Sequence, residues 1–286
     1  MVVGSSGSVG GSDRRSWTFF ALLALFCLYM AFLYGPMAVI YVLSFQGENG
    51  GVTFPMTGFS LVWFADIWLP GQMANIPESF NRSIALAATV SILSTVMAVA
   101  AGLAFRRNFP GSAFIFYLAV ASLVMPSLLV GFGIGLGFRL LDLKPSIFTS
   151  ALGAQLTWTL PFGLLAMFAV VNRFNRAWEE AATDLGASSW QKLRYVTLPI
   201  LAPGIIGVAM GAFTLSYDEY ARTTLTVGPK NTLPLEIYAL ISSASSPTLF
   251  AIGTLTTTVS FLIIGLTVLM VLRLQRRRLA ATMKSG

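Results

Sequence analysis

Residues 180–199 of this 286-residue chain read EAATDLGASSWQKLRYVTLP. The segment is polar and is punctuated by Gly186 and Pro199, and long apolar stretches lie on both sides of it. A simple connection between two membrane helices does not need so elaborate a loop. The sequence therefore indicates that something outside the membrane binds this segment.

The composition of the chain is typical of a membrane protein. Hydrophobic residues make up 56% and charged residues only 10%, whereas about a quarter of the residues of a soluble domain are charged. Apolar runs long enough to cross a hydrocarbon core of about 30 Å recur along the chain. They are continuous rather than alternating, which argues against a membrane β-barrel. We predict an all-α membrane protein with six transmembrane helices, at residues 17–44, 83–105, 112–138, 147–171, 204–226 and 250–272.

The basic residues predict the orientation of these helices. The first apolar run is too long for the core of a cleaved signal peptide, which spans about 7–15 residues, so we expect it to remain as a span. With both termini in the cytoplasm, thirteen of the 18 Lys and Arg residues fall in cytoplasmic segments, as the positive-inside rule requires. The net charge of +7 then reflects topology and attraction to anionic membrane lipid rather than nucleic-acid binding.

The same topology assigns the remaining segments. Residues 1–16 are predicted to be a disordered cytoplasmic N-terminus, because their first part is rich in Gly, Ser and Val. The other predicted segments are a periplasmic loop at 45–82, a transmembrane core at 83–272 that contains a cytoplasmic loop at 172–203, and a basic tail at 273–286.

The residue inventory argues against catalysis by this chain. It has no histidine, which excludes Ser-His, Cys-His and His-metal sites. Its single cysteine, Cys27, excludes a disulfide and a cysteine-rich metal site. None of the four lysines follows a glycine, so there is no phosphate-binding P-loop. We expect no cofactor, no metal and no catalytic residue.

One glycine-rich run lies inside a predicted span. Gly131, Gly133, Gly135 and Gly137 alternate with large apolar residues. The spacing has no dinucleotide fingerprint but allows two elements to approach closely. We favour helix packing here over contact with a ligand.

The polar loop has the signals of two short helices. Residues 177–185 favour a helix, and Gly186 ends it because glycine adopts the left-handed conformation easily. Ser188 and Gln191 stand in capping-box relation, which predicts a second helix over 189–197. Two prolines that follow are predicted to keep this helix separate from the next span. Small and large apolar side chains offer contacts to a partner, namely Ala181, Ala182, Trp178 and Trp190.

The spacing of this loop resembles the EAA motif of bacterial ABC-importer permeases, the MetI-like family of binding-protein-dependent transport. The match comprises Glu180, Ala181 and Ala182, then Gly186, and finally Leu198 and Pro199, with Val196 where that family usually has isoleucine. The resemblance implies that the loop is a pair of coupling helices that inserts into a groove on a cytoplasmic ATP-binding subunit. The alternative is an amphipathic loop that lies on the membrane.

Further motifs resemble the spermidine/putrescine permeases of the PotC type. They are Gly58–Phe64, Phe213–Glu219 and Thr232–Tyr238, although Glu219 replaces an aspartate and the stretch 221–225 is more polar than in that subfamily. Importers of opines, phosphonates, thiamine or ferric iron share much of this pattern, so these substrates stay open as alternatives to a polyamine.

The resemblance also implies partners and a location. Such a chain forms half of a channel in the bacterial inner membrane, as a heterodimer with a paralogous permease. The further partners are two ATP-binding subunits and an extracytoplasmic substrate-binding protein.

Two adjacent acids are candidates for the transport pathway. Asp218 and Glu219 lie in the outer half of the predicted fifth span, where a charge facing lipid costs about 2.5–3.5 kcal/mol. Both acids should therefore face the protein interior or a watery path and could attract a cationic substrate. The competing interpretation is pairing with Arg222, one turn away. Tyr217 and Trp158 are candidate aromatic contacts for a cation. In a rival function, an ion-gradient-driven secondary carrier, the acids would couple the ion.

Overall fold

The computed structural model describes residues 17–69, 75–107, 109–243 and 246–284. Within these ranges the chain is almost entirely helical and has no β-strand. The helices are α1 (Trp17–Leu43), α2 (Val62–Asp66), α3 (Ile76–Ala104), α4 (Ser112–Val124), α5 (Ser127–Leu140), α6 (Leu152–Val171), α7 (Ala177–Asp184), α8 (Ser189–Lys192), α9 (Leu198–Tyr217), α10 (Leu233–Ser243) and α11 (Thr248–Lys284). Two π-helical turns, Ile147–Ala151 and Leu193–Thr197, lead directly into α6 and α9.

The predicted number of membrane spans agrees with the structure when one bent pair is counted as a single span. Within the part of the chain that the structure describes, five helical segments are long and apolar enough to cross a membrane, namely Trp17–Leu43, Ile76–Ala104, Ile147–Val171, Ser189–Tyr217 and Thr248–Arg273. The predicted third span is instead the pair α4 and α5, which is bent by 104°.

The bend lies at Met125 and Pro126. Met125 has an extended backbone, with ψ 129°, as a residue that precedes proline prefers. Pro126 cannot donate a backbone hydrogen bond to the preceding turn, so the helix stops here and α5 starts again at Ser127.

Several predicted boundaries were wrong. The second span begins at Ile76 rather than residue 83, which shortens the predicted outer loop at 45–82, and α2 lies within that loop. The helix of the sixth predicted span, α11, continues to Lys284, so the predicted tail at 273–286 is helical over most of its length. The sequence analysis missed α10, whose apolar run is too short to span a membrane.

The fifth span differs most from its predicted range of 204–226. Its helix runs from Ser189 to Tyr217, so Pro199 and Pro203 do not separate the second loop helix from the span. Pro199 lies in the first turn of α9, directly after the π-helical turn Leu193–Thr197. A π-helical turn is wider than an α-helical turn and therefore leaves room for the proline ring. It also has a different hydrogen-bond pattern, so the N–H that proline lacks disrupts the helix less.

The core of the protein is formed by α3, α6 and α9. Small and polar side chains link them: Ser94 and Thr159 share a hydrogen bond of 2.8 Å, and the Ser91 hydroxyl donates to the Ala209 carbonyl at 2.6 Å. Such bonds, together with close packing of small residues, hold helices together where lipid provides no hydrophobic drive. The outer faces of α1, α4, α5 and α11 expose large apolar side chains, as expected for surfaces in contact with lipid or another span.

The connection between α1 and α2 is folded around one buried amide, Gln46. The side-chain Oε1 of Gln46 accepts the backbone N–H of Thr57 at 2.7 Å, and the backbone carbonyl oxygen of Gln46 accepts the indole N–H of Trp63 at 2.7 Å. Gly58 has φ +79° at the turn, a conformation that glycine adopts without strain. Part of the Gly58–Phe64 motif thus stabilises the connection between α1 and α2.

Candidate functional site

The polar loop has the helix–break–helix structure that its sequence predicts. Helix α7 ends at Asp184, and Gly186 follows with φ +80°. The backbone N–H of Ala187 reaches back to the Ala182 carbonyl at 3.0 Å, as in a glycine-dependent helix stop. The capping box is confirmed, because the Ser188 hydroxyl accepts the backbone N–H of Gln191 and the Gln191 side chain accepts that of Ser188.

An ion pair fixes α7 to the end of α3. Both carboxylate oxygens of Glu179 accept hydrogen bonds from the Arg106 guanidinium, each at 2.8 Å. The Thr197 hydroxyl donates a third bond to Glu179 at 2.7 Å, which ties in the start of α9. The Arg106 hydrogen bonds lower the pKa of the Glu179 carboxyl, although partial burial acts in the opposite direction. Three parts of the chain thus meet at one carboxylate.

Sequence reasoning missed the Glu179–Arg106 pair. The two residues are 73 positions apart, and no local pattern connects them. The only available signal was that each carries a charge at the same predicted membrane surface.

The outward side of the loop presents the motif residues and large apolar side chains. Glu180 and Ala181 are exposed, Ala182 is half-buried, and Leu185 exposes 88% of its surface. Leu198 is half-buried and Pro199 is exposed at the start of α9. The other exposed large side chains are Trp178, Trp190 and Tyr195. Clustered apolar exposure outside the membrane is typical of a protein interface.

The two candidate acids lie beyond the end of α9 rather than within a helical span. Tyr217 is the last residue of α9, and the connection from Asp218 to Gly228 is formed by turns. Glu219 is buried and forms an ion pair with Arg222 at 3.7 Å, and its Oε1 also accepts the Arg222 backbone N–H at 2.8 Å. Asp218 is exposed and has no ion-pair partner among the residues that the structure describes. The two acids thus have different environments.

Arg222 fastens this connection to the rest of the protein. Its Nη1 donates to the Ser127 hydroxyl at 2.7 Å, directly after the break between α4 and α5. Its guanidinium lies over the Trp158 ring at 5.0 Å. Trp158 thus contacts a protein cation. Tyr217 is buried and stacks on Phe213, with ring centroids 6.1 Å apart.

The glycines of α5 allow this connection to approach closely. A Cβ at Gly131 would lie 2.7 Å from the Arg222 carbonyl oxygen, and one at Gly135 would lie 2.6 Å from the Leu225 carbonyl oxygen. Gly133 and Gly137 have nothing within 4 Å of a Cβ position. The prediction of close packing is therefore confirmed for one face of α5, but the partner is the 218–228 connection instead of a helix.

Comparison with known proteins identifies the family. Residues 94–281 match the family described as binding-protein-dependent transport system inner membrane component. The chain belongs to this family. The family assignment confirms the resemblance seen in the EAA motif and does not support the ion-gradient-driven carrier.

Curated relatives and solved structures agree with this family. The chain is 26% identical over 236 residues to the spermidine/putrescine transport system permease protein PotC of Escherichia coli K12, covering 82% of this chain and 87% of the relative. It is 28% identical over 250 residues to the putrescine transport system permease protein PotI of the same strain, covering 85% of this chain and 86% of PotI.

The fold is also found in solved ABC transporters. A bacterial alginate ABC transporter, solved with an alginate-bound periplasmic protein, has a TM-score of 0.66 at 16% identity and covers 89% of this chain and 93% of that chain. The MetNI methionine ABC transporter has a TM-score of 0.59 at 15% identity and covers 70% of this chain and 95% of that chain. This binding-protein-dependent permease is therefore an inner-membrane component with the MetI-like ABC permease fold.

Proposed function

We propose that this chain forms half of the transmembrane pathway of an ATP-driven polyamine importer and is itself non-catalytic. Separate ATP-binding subunits bind the loop from Glu180 to Pro199, and a substrate-binding protein delivers the substrate on the other side of the membrane. The second half of the pathway is a paralogous permease. In this orientation the loop and both termini are cytoplasmic.

The observation that carries this proposal is the unbroken helical path from Ser189 to Tyr217. It covers 29 residues, or about 43 Å at 1.5 Å per residue. One end begins in the polar loop, and the other ends next to Asp218. A movement of the loop that follows ATP binding would therefore displace the outer connection directly. This geometry supports the roles proposed for Glu180, Ala181, Ala182, Gly186, Leu198 and Pro199 in coupling to the ATPase.

A polyamine substrate is supported by the relatives and by one side chain. PotC and PotI carry names that specify spermidine and putrescine. Asp218 is an exposed carboxylate at the outer end of α9, and it can attract a primary amine. Glu219 is already neutralised by Arg222, and we assign it a structural role. Tyr217 and Trp158 contribute packing around these groups.

The coupling role is tested by substitutions in the loop. We expect Glu180→Arg and Gly186→Pro to abolish uptake and co-purification of the ATP-binding subunit, while the chain still inserts in the membrane. Glu78→Gln, which changes an exposed acid far from the loop, serves as the control and should transport normally. Normal uptake by either loop variant would refute the coupling role.

The substrate class is tested by comparing the two acids in proteoliposomes that contain the complete importer and its binding protein. Asp218→Asn should raise the KM for spermidine or putrescine several-fold without a change in thermal stability. Glu219→Gln should instead lower thermal stability, because it leaves Arg222 buried without its counter-charge. Unchanged polyamine uptake by Asp218→Asn would remove the evidence for a cation pathway at this residue. A ligand screen of the partner binding protein separates a polyamine from an opine, a phosphonate, thiamine or ferric iron.

A further inference from the structure

A polar pocket lies between the polar loop and the end of α3, and the proposed transport function does not use it. It has a volume of about 590 Å³, which is within the range of small-molecule sites. Ala100 and Ala104, from the last turns of α3, line one part of it, and Ser189 and Thr197 line another. The exposed motif residue Glu180 is not part of its lining, so the pocket is distinct from the surface that we assign to the ATP-binding subunit.

The lining of this pocket is strongly basic. It contains one carboxylate, Glu179, and four cationic side chains, namely Arg106, Arg107, Arg176 and Lys192. Arg106 already binds the carboxylate through two hydrogen bonds. The other three cations have no ion-pair partner among the residues that the structure describes. Like charges gathered around one cavity repel each other, so an anion in the pocket would stabilise this arrangement.

Three of the four cations are held in place by hydrogen bonds within the protein. Arg106 is held by Glu179, and the Arg176 Nη2 donates to the Arg106 backbone carbonyl oxygen at 2.7 Å. The Lys192 Nζ donates to the Thr183 hydroxyl oxygen at 3.0 Å. Because a guanidinium has five N–H groups and an ammonium has three, each side chain keeps further donors for a ligand. A ligand therefore meets cations that are already positioned, which lowers the entropic cost of binding.

Basic residues in the loop do not by themselves define a site, because such residues gather beside membrane spans for reasons of topology. Arg173 and Arg194 illustrate this point, since both are exposed near the loop and neither lines the pocket. The four cations of the pocket differ from them because they converge on one cavity from the end of α3, the start of α7 and α8.

We propose that this cavity, which we call the α3–loop pocket, binds a phosphate monoester. A monoester carries a charge of about −1.5 to −2 at pH 7 and three acceptor oxygens, and arginine binds such groups through paired N–H donors. The phosphate can therefore bridge Arg107, Arg176 and Lys192. Ser189 also lines the pocket, and its hydroxyl can donate a further hydrogen bond. The organic part of the ester lies against Leu103.

Two other classes of ligand fit the pocket less well. A polyamine would add positive charge to a lining that already has an excess of it, so the pocket is not a site for the substrate proposed above. The carboxylate of a protein side chain carries one charge and two oxygens, and it would leave part of the excess positive charge without a partner. The phosphate site is thus independent of the transported substrate.

A bound monoester would join the end of α3 to α8. Arg107 lies three residues beyond α3, and Lys192 is the last residue of α8, from which the helical path continues to Tyr217. The ligand therefore restrains the loop relative to α3. An effect of this restraint on transport rests on the coupling role proposed above, whereas binding of the ligand does not.

The first test measures the binding of a soluble phosphate monoester. The complete importer is placed in nanodiscs of phosphatidylcholine and equilibrated with radiolabelled glycerol 3-phosphate at increasing concentration. We expect saturable binding by wild type and about tenfold weaker binding by Arg107→Gln, which loses one charge-assisted contact. Arg107 is exposed, so the variant should fold normally. Lys192→Gln should weaken binding to a similar extent.

Arg194→Gln is the matched control, because it removes the same charge from the same loop but lies outside the pocket. It should bind glycerol 3-phosphate within about twofold of wild type. Equal weakening by Arg107→Gln and Arg194→Gln would overturn the proposal, because the overall charge of the loop would then be responsible.

The second test distinguishes a lipid headgroup from a soluble ester. The same complexes are placed in nanodiscs that contain phosphatidic acid and phosphatidylcholine, and native mass spectrometry counts the phosphatidic acid that is retained after transfer to detergent. Retention that falls about fivefold or more in Arg107→Gln but not in Arg194→Gln assigns the phosphate to a lipid. Saturable binding of glycerol 3-phosphate that depends on Arg107, with retention of phosphatidic acid unchanged, assigns it to a soluble ester.

Two results would overturn the proposal in both forms. One is that neither the binding of glycerol 3-phosphate nor the retention of phosphatidic acid depends on Arg107. The other is a zero-length crosslink between Lys192 and a carboxylate of the ATP-binding subunit, because a protein acid would then occupy the pocket.

Discussion

Glu179→Gln should separate α7 from the end of α3 with little change in shape. The variant retains the size of the side chain but removes the charge that binds Arg106 through two hydrogen bonds of 2.8 Å. The side chains of Arg106 and Glu179 expose 16% and 25% of their surfaces, so solvent screens the pair only in part. Loss of one partner of a buried pair costs about 3–5 kcal/mol, whereas an exposed pair contributes about 0.2–1 kcal/mol. We expect an intermediate cost of about 2 kcal/mol.

This cost should appear in the binding of the ATP-binding subunit. If the loop must be repositioned on α3 each time the subunit binds, a penalty of about 2 kcal/mol lowers the affinity by up to about 30-fold. The measurement is a titration of the purified permease pair with the ATP-binding subunit, followed by the binding-protein-stimulated ATPase rate after reconstitution. Glu78→Gln is the matched control, because Glu78 pairs with Arg82 at 3.2 Å but is 70% exposed. It should change the affinity by less than about 0.5 kcal/mol.

A double-mutant cycle with Arg106→Gln decides whether the ion pair is responsible. If it is, the effects of Glu179→Gln and Arg106→Gln are not additive, and the coupling energy approaches about 2 kcal/mol. Strictly additive effects, or an affinity for Glu179→Gln within twofold of wild type, would refute this reasoning. In that case Glu179 would act by direct contact with the ATP-binding subunit or would have no role in coupling.

Three further outcomes follow from the same geometry. The pKa of the Glu179 carboxyl is lowered. The stability that the ionised carboxylate gives the fold is therefore fully present at pH values above the ordinary carboxyl pKa, and it is lost as the pH falls through the lowered pKa. Melting temperatures of wild type and Glu179→Gln should thus differ at pH 7 and converge in acid. Gly131→Ala should lower the melting temperature, because its Cβ would lie 2.7 Å from the Arg222 carbonyl oxygen. Gly133→Ala should not lower it, because there is open space at that position. Equal melting temperatures of the two variants would contradict this packing. Gly186→Ala has open space around it but φ +80°, so it should cost about 1 kcal/mol and increase protease cleavage of the loop, with a smaller effect for Gly186→Asn.

The membrane spans could be predicted where apolar sequence and helix end together. Ile147–Val171 matches its predicted range, and Trp17–Leu43 differs by one residue. The fifth span could not be placed correctly, because no glycine or proline between Tyr217 and Gly228 marks the residue at which the helix stops. At its other end Pro199 and Pro203 predict a helix break, but the π-helical turn Leu193–Thr197 accommodates the first of these prolines.

The candidate site was predicted only where local chemistry defines it. The break at Gly186 and the Ser188–Gln191 cap follow from residue types within one or two turns, and both are present. The Glu179–Arg106 pair depends on tertiary contact over 73 residues, which a single sequence does not reveal. The different environments of Asp218 and Glu219 likewise depend on how the connection folds against α5.

The unbroken path from Ser189 to Tyr217 also has a rotational phase. Each residue of an α-helix turns the chain by about 100° and advances it by about 1.5 Å. One inserted residue would therefore turn the outer end of α9 by more than a quarter circle relative to the loop, even if every side chain were otherwise suitable. The segment should accept many substitutions but very few insertions or deletions. Its length is as much a part of the proposed coupling device as its residues are.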